Sequence, residues 1–272
     1  MRRSLPTSLC RALLVGSLMW SGCAASRSAE RLDTAEEAYE RAKALFERGR
    51  YSQAAEMAQR VFEFGRGHAY AEPAQLLLAR AYFRARDYLA AANEYNRYIT
   101  LYPRSEHLPE AEFERALCYY HLAPPHYLDQ ADTQRALDLL RLFVMRYPDS
   151  PRAAEASQYV AELRNRLAHK IYEAAQLYMR MEAWQAAALT FAEVLNQYPE
   201  SEWADKALLG QIQAYAAFAH SSVRARQAER YRMALEAVNR FRQLFPQSPL
   251  RPQVEALAAE IQSRLPSEQA IR

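Results

Sequence analysis

Four short segments fix what this chain can fold into: Tyr102-Pro103-Arg104-Ser105, Tyr147-Pro148-Asp149-Ser150, Tyr198-Pro199-Glu200-Ser201 and the relaxed Phe245-Pro246-Gln247-Ser248. A chain of this composition would hold aromatic-Pro-x-Ser roughly 0.1 times by chance. Proline lacks a backbone N–H and restricts the residue before it, so each segment reads as the stop of a helix. Serine reads as the cap of the next helix, most clearly in Ser150-Pro151, where proline would take the first helical position. Between the stops the sequence is rich in Ala, Leu, Glu, Gln and Arg, with only 6 glycines in 272 residues. That composition makes helices, not strands or tight hairpins, and its 50% hydrophobic content allows a sizeable core. The expected fold class is all-α.

Aligned on the stops, segments 79–103 and 175–199 share one frame. Ala79 and Ala175 lead, followed by Tyr82 and Tyr178, then Tyr88 and Trp184, then Ala91 and Ala187. Leu45, Tyr51 and Ala54 put 45–66 in the same frame, with Gly65-Arg66 replacing the closing Tyr-Pro. Segments 116–123 and 136–148 form a further unit, and Tyr215, Tyr231, Ala234 and Pro246 a fifth. The frame resembles the tetratricopeptide repeat, an antiparallel helix pair of about 34 residues. Small Ala79 and Ala91 would let two helices approach, and the aromatic rings would fill the gaps between units. Successive prolines lie 45, 51 and 47 residues apart, more than one repeat. The excess is expected in two loops, 122–133 and 219–230, and in 152–181, which lacks Pro and Gly and reads as one continuous helix. Five helix-turn-helix repeats would thus form an α-α superhelix in two halves joined by that helix.

Residues 1–22 stand apart. A basic start (Arg2, Arg3, Arg11) leads into the apolar stretch 12–20, too short to span a bilayer but suited to a signal peptide. Ser21-Gly22-Cys23 follows and resembles a bacterial lipobox, which makes Cys23 the expected lipidation site. Ordinary cleavage near Ala24-Ala25, which would discard Cys23, is the other reading. The expected plan is a signal peptide (1–22), a lipidated tether (23–34), repeats one to three (35–150), the long helix with repeats four and five (151–265), and a tail (266–272). Loss of 1–22 removes three arginines and takes the formal net charge from +3 to about zero, which gives no case for nucleic-acid binding. Cys118 falls in a helical segment and is expected to be a small buried apolar residue.

A lipobox, five repeats and a long third-to-fourth helix in that order resemble the BamD family of outer-membrane lipoproteins, components of the machinery that inserts β-barrel proteins. The stretches 70–99 and 164–201 carry the likeness most strongly. The resemblance implies a periplasm-facing adaptor, lipid-anchored to the outer membrane, that binds the insertase BamA mainly through its C-terminal half (151–265) and works with the other lipoproteins of that machinery. The N-terminal half (35–150) would receive the C-terminal segments of unfolded barrel proteins. Where family members often carry Arg in the second helix of the fourth unit, this chain has Thr190. Two other repeat-built lipoprotein classes remain open, adaptors for peptidoglycan or envelope machinery and factors for secretin assembly.

In such repeats the first helix of each pair lines a concave groove, here through Tyr39, Lys43 and Phe46, then Arg80, Phe83 and Arg84, then Phe113 and Tyr120. Aromatic and basic residues alternate, which suits an extended peptide ending in an aromatic residue and a free carboxylate. Lys43 and Arg80 would flank that carboxylate, Arg84 would add a second bond, and Phe83, Phe113 and Tyr120 would accept apolar side chains. Carboxylate clamps usually carry Asn and Lys where this chain has Tyr39 and Leu76. The competing reading makes the aromatics inter-repeat packing and the cations a solvated face. No glycine-rich phosphate loop is present, and His121, His126, Asp129 and Asp132 read as a solvated loop rather than a metal site. Neither catalysis, nor a cofactor, nor a metal is expected.

Overall fold

A computed structural model describes residues 34–265, which form eleven α-helices, one 3-10 turn and no strand. The expected signal peptide, the tether with Cys23 and the tail 266–272 lie outside the described residues. Helices α1 (Ala35–Glu47) and α2 (Tyr51–Arg60) make the first pair, and α3 (Ala71–Arg84) and α4 (Tyr88–Leu101) the second. Then come α5 (Leu108–Leu122) with α6 (Ala131–Arg146), α7 (Ala153–Arg180) with α8 (Trp184–Gln197), and α9 (Ala204–His220) with α10 (Arg224–Leu244). A last helix, α11 (Arg251–Arg264), covers α10 and touches α9. Each helix packs mainly on its neighbours in sequence, the arrangement of a tetratricopeptide-like solenoid.

The four punctuating segments adopt one backbone conformation. Their aromatics close the preceding helix at φ/ψ of −124/58 (Tyr102), −127/60 (Tyr147), −136/57 (Tyr198) and −126/56 (Phe245). These angles leave the helical region, as the following proline demands. The N–H of each serine then donates to the aromatic carbonyl at 3.1–3.2 Å, closing a β-turn with proline in its second position. Serine does not cap the next helix as expected. It stands three residues before the helix starts, where its carbonyl accepts the N–H of the first helical residue. The hydroxyls of Ser105, Ser150 and Ser248 accept the N–H two residues on, organising a short lead-in turn. Pro151 falls within that turn, ahead of the first helical position.

The first pair lacks the proline stop and ends by another device. After α2 the chain tightens into the 3-10 turn Val61–Phe64 and leaves it at Gly65, whose φ of 97° and ψ of −172° suit only glycine. Three of the turns within pairs also share a form. Gly49, Arg86 and Glu182 sit at positive φ, and the next N–H reaches back to Leu45, Tyr82 and Tyr178 respectively. This is a Schellman closure.

The 152–181 reading is met by the unbroken 28-residue helix α7. Its packing reaches from α5 and α6 to α8 and α9. The two expected loops differ. The first is eight residues, 123–130, and the second only three, 221–223, because α10 begins at Arg224. Good helix formers in 224–230 extend that helix, and Arg230 stacks its guanidinium 3.6 Å from the Phe218 ring centroid to hold the turn. Alanines at the helix crossings, Ala79, Ala91, Ala175 and Ala187, are fully buried. One apolar core runs from Leu76 to Ile261, and a smaller one joins the first pair to α3 through Ala42, Ala54, Ala58 and Leu78. Cys118 is buried and free, its thiol pushed up by burial and donating to Glu114 O at 3.2 Å.

Candidate peptide-binding groove

Five of the eight expected groove residues come together. Phe46 from α1, Arg80, Phe83 and Arg84 from α3, and Phe113 from α5 line one cavity of about 450 Å³. Leu117, Tyr95, Glu110, Glu114, Arg152 and Glu155 complete its wall. The helix period puts Arg80, Phe83 and Arg84 on one side of α3, and Phe113 and Leu117 on the facing side of α5. Phe113 is 1% exposed, with its ring 5.3 Å from that of Phe143, so it forms the floor and belongs equally to the core.

The charges in the cavity are mostly committed to one another. Arg80 meets Glu114 through Nε at 3.2 Å and Glu110 through Nη2 at 3.1 Å. Burial alone would lower the Arg80 guanidinium, but the two carboxylates together hold it above its ordinary value. Glu114 moves upward because its burial outweighs the attraction of Arg80. Arg152 pairs with Glu155 at 2.9 Å and holds its guanidinium 5.5 Å from the Phe113 ring centroid. Arg84 differs: it is exposed and its side chain pairs with nothing among the described residues. Beside the pair of Arg80 and Glu114, the Tyr95 hydroxyl is buried with the Glu114 carboxylate as its polar neighbour, and burial first, then that carboxylate, raises it well above the usual phenol value.

The other three expected residues stand elsewhere. Tyr39 packs 5.7 Å from the Tyr70 ring, and Lys43 is exposed on α1 one turn before Phe46. Tyr120 turns toward α7, where its ring lies 4.4 Å from that of Tyr159 at a tilt of 55° and its hydroxyl donates to Glu162, and burial pushes that hydroxyl up to about 12. Sequence reasoning missed Tyr95, because it read the groove from the first helix of each pair and Tyr95 is on the second. It also missed the ion pairs. A signal existed for one of them: Arg80 and Glu114 are 34 residues apart, one repeat length, and their pair joins one repeat to the next, whereas Glu112 and Arg146, also 34 apart, tie α5 to α6 within a pair.

A second concave surface lies at the other end of the array. The turn between α7 and α8, with Leu189 of α8 and Phe218 of α9, borders an open depression of about 700 Å³. Leu189 stands 58% exposed there. His121 and His126 do not converge: the first stacks on Tyr88, the second on His169. Among the described residues no group of three metal-ligating side chains forms.

A solenoid of antiparallel helix pairs whose groove is lined by aromatic and guanidinium groups defines a tetratricopeptide-type protein. A family model described as YfiO, outer membrane lipoprotein, matches residues 31–230, and the chain belongs to that family. The likeness read from the sequence is thereby borne out. Among its relatives is the outer membrane protein assembly factor BamD of Vibrio cholerae, 28% identical over 215 residues that cover 75% of this chain and 88% of the relative. The BamD of Rickettsia prowazekii is 26% identical over 210 residues, 77% of this chain and 84% of that one. The match to BamD of Caulobacter vibrioides, 28% identical over 140 residues, spans 52% of this chain and less than half of that relative, 46%. Among solved structures, the TPR2AB domain of yeast Sti1 in its pHSP90 complex covers 84% of this chain and 98% of its own, at 13% identity and a TM-score of 0.42.

Proposed function

We propose that the chain is an assembly factor for outer-membrane proteins, as its relatives are named, and that it works as an adaptor by binding rather than by catalysis. The cavity between α1, α3 and α5 supports this most directly, because it gathers apolar rings and one unpaired guanidinium along a groove wide enough for side chains of an extended segment. In this reading the N-terminal half, 35–150, takes the C-terminal segment of an unfolded barrel protein. Its aromatic residue enters between Phe46, Phe83 and Phe113. Its carboxylate goes to Arg84, since Arg80 is already neutralised by Glu110 and Glu114. Lys43, exposed on α1 one turn before Phe46, is a further cation on that helix. The C-terminal half, 151–265, offers the apolar depression around Leu189 and Phe218 to a BamA-like insertase. Lipidation at Cys23, outside the described residues, would hold the adaptor at the outer membrane.

Peptides from barrel C-termini with free and amidated ends test the groove. A charge-assisted bond is worth about 1.5–3 kcal/mol, so amidation should weaken binding by about tenfold or more, and Arg84→Glu should weaken the free acid to a similar degree. Equal binding of the two peptides, or no effect of Arg84→Glu, removes the carboxylate assignment. Failure of either peptide to bind removes the groove reading itself.

A further inference from the structure

The 123–130 loop between α5 and α6 is fastened to α7 at three places. Arg166 Nη1 donates to Ala123 O at 3.0 Å, and Lys170 Nζ donates to Leu128 O at 2.6 Å. The third fastening is a column of rings. His126 lies on His169 with centroids 3.6 Å apart and planes 24° from parallel, and His169 lies on Trp203 at 3.8 Å and 9°. Tyr172 of α7 approaches Trp203 at 4.9 Å, and Lys206 of α9 places Nζ 4.4 Å from the same ring. The column therefore ties the loop of the third pair to α7 and to the lead-in of α9.

Two imidazoles in face-to-face contact tolerate one charge between them but not two. A first proton has support: Glu173 Oε1 is 3.6 Å from His169 Nε2, and the indole face attracts a cation. The remaining charges oppose a second. Lys206 bears on the column from α9, and Lys170 and Arg166 from α7. On the loop, Asp129 has one carboxylate oxygen engaged by the Ala131 N–H at 2.9 Å. Burial first, then the neighbouring His126, hold His169 below the ordinary imidazole value, and Glu173 offsets this only in part.

We propose that the His126–His169–Trp203 column is a proton-operated latch on the 123–130 loop, closed while at most one imidazole is charged and released when both are. Release frees His126 and Tyr127, the latter 70% exposed on the loop, from their fixed place and uncovers a face of the His169 ring. The ties from Arg166 and Lys170 reach backbone carbonyls that do not titrate, so they persist and confine the movement to the loop. Opening is expected below the ordinary histidine value of about 6.5.

Hydrogen exchange read by mass spectrometry on the full-length protein in detergent micelles tests the latch. Rates at about pH 7.5 and about pH 5, each corrected for intrinsic chemistry, should differ by about tenfold in 123–130, while α8 and α9 stay unchanged. His126→Phe keeps a ring in the column that cannot be charged, and should abolish the acceleration. His126→Ala should leave the loop fast at both values. Equal loop protection in the wild type at both values overturns the latch. So does the same acceleration in His126→Phe, or acid loosening that spreads through α8 and α9.

Discussion

Arg80 occupies the place where the charge of a bound chain end was expected to land, yet its guanidinium is shared between two carboxylates of the next repeat. Its role is then to let Glu114 sit largely buried, at 20% side-chain exposure, under the groove. Arg80→Met should leave that carboxylate unpaired and cost about 1–3 kcal/mol at neutral pH. The penalty has a sign in pH. Glu114 already lies above its ordinary value and would rise further without Arg80, so the folded variant takes up a proton more readily than the unfolded chain. Its deficit against the wild type should therefore shrink as pH falls from about 7 toward the raised value, which denaturant melts at several pH values would follow. A deficit that is flat in pH would place the loss in packing instead. That Arg80 is neutralised by carboxylates while Arg84 keeps its guanidinium unpaired among the described residues was not legible in the sequence. Both lie on one face of α3, and only the positions of Glu110 and Glu114 across the groove tell them apart.

At the level of elements the reverse holds, and most of the fold could be read. The Tyr-Pro stops, the Ala crossings and the Pro- and Gly-free run 152–181 each state a local preference that the solenoid does not override, so α4, α6, α7 and α8 lie where the pattern put them. The start of α10 was misread because Ser221-Ser222 and the arginines after it look polar and loop-like, although Arg, Gln, Ala and Glu are good helix formers once a turn is anchored. Anchoring comes from Phe218, whose carbonyl accepts from Ser222 Oγ and whose ring carries Arg230. Gly210 of α9 is equally opaque from sequence. A methyl group there would lie 2.6–2.8 Å from three ring atoms of Phe191, which is fully buried in α8 and cannot swing away. Gly210→Ala should thus destabilise by about 1–2 kcal/mol, overpacking of about 1–3 outweighing the roughly 1 kcal/mol that alanine gains in a helix. A lower thermal midpoint, restored by adding Phe191→Leu, would bear this out, and an unchanged midpoint would refute the close approach.

Across the whole molecule, stability in a linear array is a sum of unit and neighbour terms. The first pair contributes least, since the small core that attaches it to α3 is made almost wholly of alanines. Amides of α1 and α2 should exchange faster than those of α8 and α9, where Phe191, Val194, Leu208 and Ile212 are fully buried, and equal protection at the two ends would contradict this ordering. The Phe46 wall of the groove thereby rests on the most easily frayed pair, and an occupant that bridges α1 to α5 would tighten it. The four repeated turns carry a different consequence. Their aromatic residues agree within a few degrees in ψ, from 56° to 60°, although the stretches between them differ in length. Pulling along the array from the second pair to α11 finds no swivel at these four joints, because each is locked by a proline ring and a closed turn. Tension applied at one end of that stretch must be carried to the other until a helix pair melts, so it acts as a stiff strut, with the proline-free joint at Gly65 as the one exception before it.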